Sequence, residues 1–119
     1  MLDELAKERA FIDLILFSPY HPKGTVPPYN IDHISRKPKS GMFFEALHSF
    51  PIKASCSYMI GDKESDLEFG KNNGLTTILV KTGYGSKLWQ DRNHKTILPD
   101  FVVENLFYAA KLVFSIERP

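Results

Sequence analysis

A chain of 119 residues, 43% hydrophobic and 24% charged, is long enough for one domain with its own core. Fifteen basic against 14 acidic side chains leave a formal charge of +1, which argues against a nucleic-acid coat or a membrane-surface protein. The lone Cys56 can make neither an internal disulfide nor a Cys-rich zinc site, no apolar run reaches about 18 residues, and no leader pattern follows Met1, so a soluble cytoplasmic protein is expected.

Residues 2–10, rich in Glu, Lys, Leu and Ala, read as the end of a helix. Residues 11–17, Phe-Ile-Asp-Leu-Ile-Leu-Phe, form a nearly continuous apolar run, as in a parallel strand buried on both faces. Residues 18–39 carry Pro19, Pro22, Pro27, Pro28 and Pro38, which interrupt helix and sheet alike and predict a long, substrate-side loop. From Gly41, the apolar residues Phe43, Ala46, Leu47 and Phe50 fall on one helical face, and Pro51 ends the helix.

Residues 57–60 form a short strand running into Gly61-Asp62. A helix over residues 64–73 follows, with Gly74 as its left-handed terminator. Residues 76–80 are β-branched and strand-like, and Thr82-Gly83-Tyr84-Gly85 reads as a turn that opens a linker. Residues 101–103 predict a last strand, and Leu106, Ala109, Ala110 and Val113 the buried face of a closing helix. Strands alternating with helices imply a three-layer α/β/α fold with a mainly parallel sheet. Ligands bind beyond the carboxyl ends of such strands, so the residues after Phe17, Ile60 and Val80 matter most.

Gly61-Asp62-Lys63-Glu64-Ser65-Asp66 begins where a strand gives way to a helix. Asp62 at the sheet edge and Asp66 one turn later suit Mg²⁺, which takes one or two carboxylates and keeps its other positions for water and phosphate. Ser65 is placed to assist by a hydrogen bond. The competing reading is that Asp62 or Ser65 caps the helix. Arg36-Lys37-Pro38 pins two cations that suit a phosphate, the fork from Arg36 and the point charge from Lys37; a solvated basic turn is the plain alternative. His21 and His33 alone do not make a structural zinc set. The aromatic residues do not alternate with basic ones, so no base-stacking platform is expected.

Four stretches in register resemble the haloacid dehalogenase (HAD) superfamily of phosphatases, subfamily IIIA, the branch containing heptose bisphosphate phosphatases and histidinol-phosphatases. They are Pro19-Tyr20-His21-Pro22-Lys23-Gly24, Arg36-Lys37-Pro38-Lys39-Ser40-Gly41-Met42, Tyr58-Met59-Ile60-Gly61-Asp62-Lys63-Glu64-Ser65-Asp66 and Val80-Lys81-Thr82-Gly83-Tyr84-Gly85. The resemblance implies a Rossmann-like fold and a Mg²⁺-dependent phosphatase acting on a sugar or small-metabolite phosphate through an aspartyl-phosphate. Lys37 then corresponds to the lysine that steadies the nucleophile and the phosphoryl group, and Arg36 to its phosphate-gripping neighbour. Asp62 corresponds to the Mg²⁺ ligand and Asp66 to a second acidic position that supports the site.

Two departures qualify that expectation. The zinc-loop positions hold Ser18, Tyr20, His33 and Ser35, so no zinc is expected. The family's Asp-x-Asp nucleophile motif is absent from the sequence, and Asp13 lies at the wrong end of its strand with Ile15 two residues on. On this resemblance residues 1–119 form a single, incomplete HAD-like domain lacking about 70 residues, the length of two strand–helix units, and inactive alone. In the family's strand order, 3-2-1-4-5, residues 11–17 and 57–60 then flank a gap. Exposed central edges require a missing partner segment, a rearranged sheet or a homo-oligomer. A non-catalytic phosphate-binding or protein-interaction remnant is the alternative from a different class.

Overall fold

The computed structural model describes residues 37, 39–95 and 97–117. The expected strand at residues 11–17, nearly all of the proline-rich loop and Arg36 lie outside them. The expected gap beside residues 57–60 falls outside them for the same reason.

Helix α1, Gly41–Ser49, stops where the chain must turn extended: Phe50 precedes Pro51 and adopts φ −138°, ψ 150°, as proline's Cδ pushes its predecessor out of the helical region. The expected apolar face is only partly covered. Phe43 and Ala46 are half-buried, whereas Leu47 and Phe50 remain 39% and 37% exposed among the described contacts.

Strand β1, Tyr58–Gly61, leads into helix α2, Glu64–Asn72, which returns to strand β2, Thr76–Val80. The two strands are parallel, with Tyr58 opposite Thr76 and Gly61 opposite Leu79. Gly74 has φ +73°, so the predicted left-handed terminator is the residue that lets the chain leave α2. Strand β3, Phe101–Val103, pairs parallel with the other edge of β2, and helix α4, Leu106–Glu117, follows it. The order among the described strands is β1-β2-β3. No helix among the described residues is long and apolar enough to cross a membrane.

The central strand explains its own composition. Thr77, Ile78, Leu79 and Val80 are all buried, because β2 is paired on both edges and covered on both faces. Ile78 and Val80 pack with Ala109, Leu112 and Val113 of α4 on one face. On the other, a side chain at Gly70 of α2 would meet Thr77 and Met59, so that glycine permits close helix–sheet approach. Helices therefore cover both faces of a parallel sheet, giving the expected three-layer Rossmann-like α/β/α arrangement.

Two expectations need correction. The buried stripe of α4 is Ala109 with Leu112 and Val113, while Leu106 (64% exposed) and Ala110 face outward. Periodicity fixed the helix but left its rotation to the sheet. The segment after Val80 is also more than a linker, since Gly85–Gln90 form a short helix, α3. At six residues it is too short to show a period. It is held by tertiary contact instead: any Cβ at Gly85 would collide with the carbonyl oxygen of Val80.

The start of β3 is locked to β2 by Asp100. Its Oδ2 accepts from the Thr77 amide at 2.8 Å and the Thr77 hydroxyl at 3.2 Å, while its own amide donates to the Thr77 hydroxyl at 3.0 Å. Lys71 of α2 donates to Oδ1 at 2.8 Å. Partial burial pushes the Asp100 carboxyl upward, but the hydrogen bonds from Lys71 and Thr77, with the Lys71 charge, outweigh it and hold the group below its ordinary value. Asp100→Ala, which strands the buried Thr77 donors, is expected to cost about 1–3 kcal/mol in urea unfolding. Because the folded-state pKa is depressed, this stabilisation is complete above the ordinary value of 3.8 and is lost as pH falls through the lower folded value. The gap between wild type and variant should therefore stay level near neutrality and narrow only in acid; a gap that narrows on the alkaline side would contradict this assignment.

Candidate functional site

The site lies beyond the carboxyl end of β1, where the chain crosses from Gly61 into α2. Asp66, 5% exposed, sits in the first turn of that helix. Its Oδ2 accepts from the amides of Asp62 and Lys63, each at 3.2 Å. Its Oδ1 pairs with Lys37 Nζ at 2.7 Å. A buried carboxylate is costly unless paired and hydrogen-bonded, and here three donors meet it. Gly61 makes the approach possible, since a Cβ there would overlap the Asp66 carboxylate.

This arrangement overturns the capping alternative for Asp62 and Ser65. The N-cap position is Lys63, and it is Asp66 that reaches back to the amide of the capping residue. Asp62 is left half-buried at the strand end, its Oδ2 accepting from the Tyr84 amide at 3.2 Å. Its Oδ1 accepts no hydrogen bond among the described residues. No group of three or more His, Cys, Asp or Glu side chains gathers as a metal cage among those residues.

The structure thus brings Lys37, Asp62 and Asp66 to one end of the sheet, with Asp62 and Asp66 in different roles. Arg36, His21 and His33 lie outside the described residues. Ser65 is half-buried and makes no hydrogen bond to either aspartate.

Gly83 and Tyr84, which sequence reasoning left as a plain turn, prove to be part of the site. Gly83 has φ +62° and lies so close to Asp62 that a Cβ would overlap its carboxylate. This places the Tyr84 amide on Asp62. Two signals pointed there: a glycine turn directly after the neighbouring parallel strand, and the place of residues 80–85 among the stretches that carry the family resemblance. The Tyr84 ring in turn lies 5.2 Å from Lys63 Nζ.

These features define a Rossmann-like α/β/α protein with a lysine-bound carboxylate and a second aspartate at the strand ends. The chain belongs to the HAD-hydrolase-like family, whose sequence profile matches residues 34–109. It is 37% identical over 116 residues to the D-glycero-D-manno-heptose-1,7-bisphosphate 7-phosphatase of Chlorobaculum tepidum, a match covering 91% of this chain and 56% of that protein. The corresponding phosphatase of Thermosynechococcus vestitus is 32% identical over 111 residues, covering 91% and 57%. A crystal structure assigned as a HAD-like phosphatase from Mesorhizobium loti superposes with a TM-score of 0.71 at 30% identity, covering 98% of this chain and 52% of that one. The chain therefore spans about half the length of these relatives.

Removing one partner from the Lys37–Asp66 pair should expose its worth. Lys37→Met is expected to lower the unfolding free energy by about 1–3 kcal/mol, since Asp66 keeps its two backbone donors but loses its counter-charge. Gly61→Ala, which displaces the same carboxylate, should cost at least as much. Chemical denaturation of both variants reads this directly, and a Lys37→Met protein as stable as wild type would mean the pair contributes nothing.

Proposed function

We propose that this chain carries the lysine and metal-ligand half of a Mg²⁺-dependent phosphomonoesterase centre for a sugar phosphate, and that it binds without turnover on its own. The observation that carries the reading is the division of labour between two carboxylates: Asp66 is committed to Lys37 and the backbone, while Asp62 Oδ1 accepts no hydrogen bond among the described residues. The named relatives support the substrate class, being heptose bisphosphate 7-phosphatases.

The donor set fits the metal. Magnesium needs only one or two protein carboxylates and prefers to keep water and phosphate oxygens, so Asp62 Oδ1 suffices as the ligand supplied here. When bound, the cation would add positive charge beside the phosphoryl oxygens. Lys37, held by Asp66, presents a fixed ammonium at the same sheet edge, and Arg36 immediately before it would grip the phosphate. The Tyr84 amide restrains Asp62 from swinging toward solvent. No Asp-x-Asp occurs among the 119 residues, which is why these residues bind rather than form the aspartyl-phosphate. That same absence favours one second reading, a non-catalytic phosphate-binding subunit. Turnover regained on adding a segment that bears Asp-x-Asp would decide for the enzyme.

Mn²⁺, used as a paramagnetic stand-in for Mg²⁺, should selectively broaden the amide resonances of Gly61, Asp62 and Tyr84. Asp62→Asn should abolish that pattern. Phosphate release from p-nitrophenyl phosphate should stay at the Asp62→Asn background. Broadening centred on other acidic residues would refute the metal ligand, and wild-type turnover lost in Asp62→Asn would refute inactivity of the chain alone.

A further inference from the structure

Directly beside Asp62 opens a cavity of about 400 Å³, within the range that encloses small ligands. It is lined by Asp62 and Lys63 just before α2, by Tyr84, and by Lys87, Leu88 and Asp91 from α3 and the residue that ends it. The site described above uses Asp62 alone of these side chains. A phosphoryl group held by a cation on Asp62 would lie beside this cavity, which Asp62 itself lines.

The charges of the lining divide into committed and uncommitted groups. Lys95 is paired with Glu64 at 3.3 Å. Lys63 lies over the Tyr84 ring. Lys87 and Asp91 carry no hydrogen bond or ion pair through their side chains among the described residues, and they stand four residues apart, one turn from each other. One uncommitted donor and one uncommitted acceptor thus flank an aromatic face and a leucine. A purely apolar leaving group would strand both polar ends against it. A second strong anion would meet Asp91. A polyhydroxylated carbon chain satisfies the set, because its hydroxyls donate to Asp91 and accept from Lys87 while its C–H face lies on Tyr84 and Leu88.

The geometry points to this cavity as the subsite for the polyol portion of the phosphate ester, with Lys87 and Asp91 as its specificity-determining residues. The inference rests on the proposed site, with the cation on Asp62 and the phosphate beside Lys37, and adds the part of the substrate that site does not touch. It also gives the short helix α3 a use: α3 brings Lys87 and Leu88 of the cavity lining to the strand end of β2.

The test titrates the full chain, in the presence of Mg²⁺, with three probes followed by amide chemical shifts: inorganic phosphate, mannose 6-phosphate and n-hexyl phosphate. Phosphate alone should shift the surroundings of Lys37 and Asp62. Mannose 6-phosphate should in addition shift Tyr84, Leu88 and Asp91, and bind about tenfold more tightly than hexyl phosphate, the scale of one or two charge-assisted hydrogen bonds. That ratio should collapse toward one in Asp91→Ala and fall in Lys87→Met. If phosphate shifts the Lys37 and Asp62 region but the two esters bind alike, the polyol subsite is wrong and the phosphate site stands. Should none of the three probes shift that region, both fall. Circular dichroism of each variant separates lost recognition from lost folding.

Discussion

One buried carboxylate organises this protein's polar edge. Asp66 is taken almost wholly out of water, and that is tolerable only because donors from three places converge on it: the Asp62 amide, the Lys63 amide and the Lys37 ammonium. Each donor imposes a condition elsewhere. The two amides require the tight passage from β1 into α2, which a side chain at Gly61 would block. The ammonium requires the stretch ahead of α1 to reach the carboxyl end of β1. Lysine, glycine and aspartate thus constrain one another through a single group, and the helix begins where that group lies.

Because Asp66 satisfies the turn, Asp62 does not have to. Its freedom depends on the neighbouring strand as well. The parallel register that sets Gly61 opposite Leu79 brings the ends of β1 and β2 side by side, so the turn after β2 can reach across to Asp62. Gly83 accepts both the left-handed conformation and the close approach, and the Tyr84 amide closes the contact. A strand-end aspartate with one oxygen restrained and the other unbonded among the described residues, beside a fixed ammonium, is the arrangement that phosphoryl chemistry needs: positioned charge rather than many reactive groups.

Much of this was readable from local pattern. Thr76–Val80 and Phe101–Val103 appear where the β-branched and apolar runs predict strands, and Gly74 ends α2 as its conformation demands. The grouping of Lys37, Asp62 and Asp66 also followed from their motifs. Three features were not readable. Helix α3 is six residues long and owes its place to the contact of Gly85 with the Val80 carbonyl, which no periodicity announces. The rotation of α4 depends on how Ala109 meets Ile78 and Val80, and a stripe of Leu and Ala residues is compatible with more than one rotation. Asp100 belongs to none of the motifs read from the sequence, yet it ties β3 to the fully buried Thr77 and to Lys71.

By itself the sequence determined the alternation of strands and helices, the parallel α/β class, the residue types available for phosphate and metal, and the absence of Asp-x-Asp. Those are local or compositional properties: strand periodicity, turn chemistry and an inventory of side chains. Only the tertiary structure shows how the two aspartates are engaged: Asp66 is spent on Lys37 and two amides, while Asp62 Oδ1 accepts no hydrogen bond among the described residues. Asp62 and Asp66 are four residues apart and chemically identical; the family resemblance already set them in different roles, but the physical cause is tertiary, with Lys37 arriving from one side and the Tyr84 amide from the other. Donors distant in sequence make that choice, since a carboxylate's function is set by whichever partners folding brings to its two oxygens.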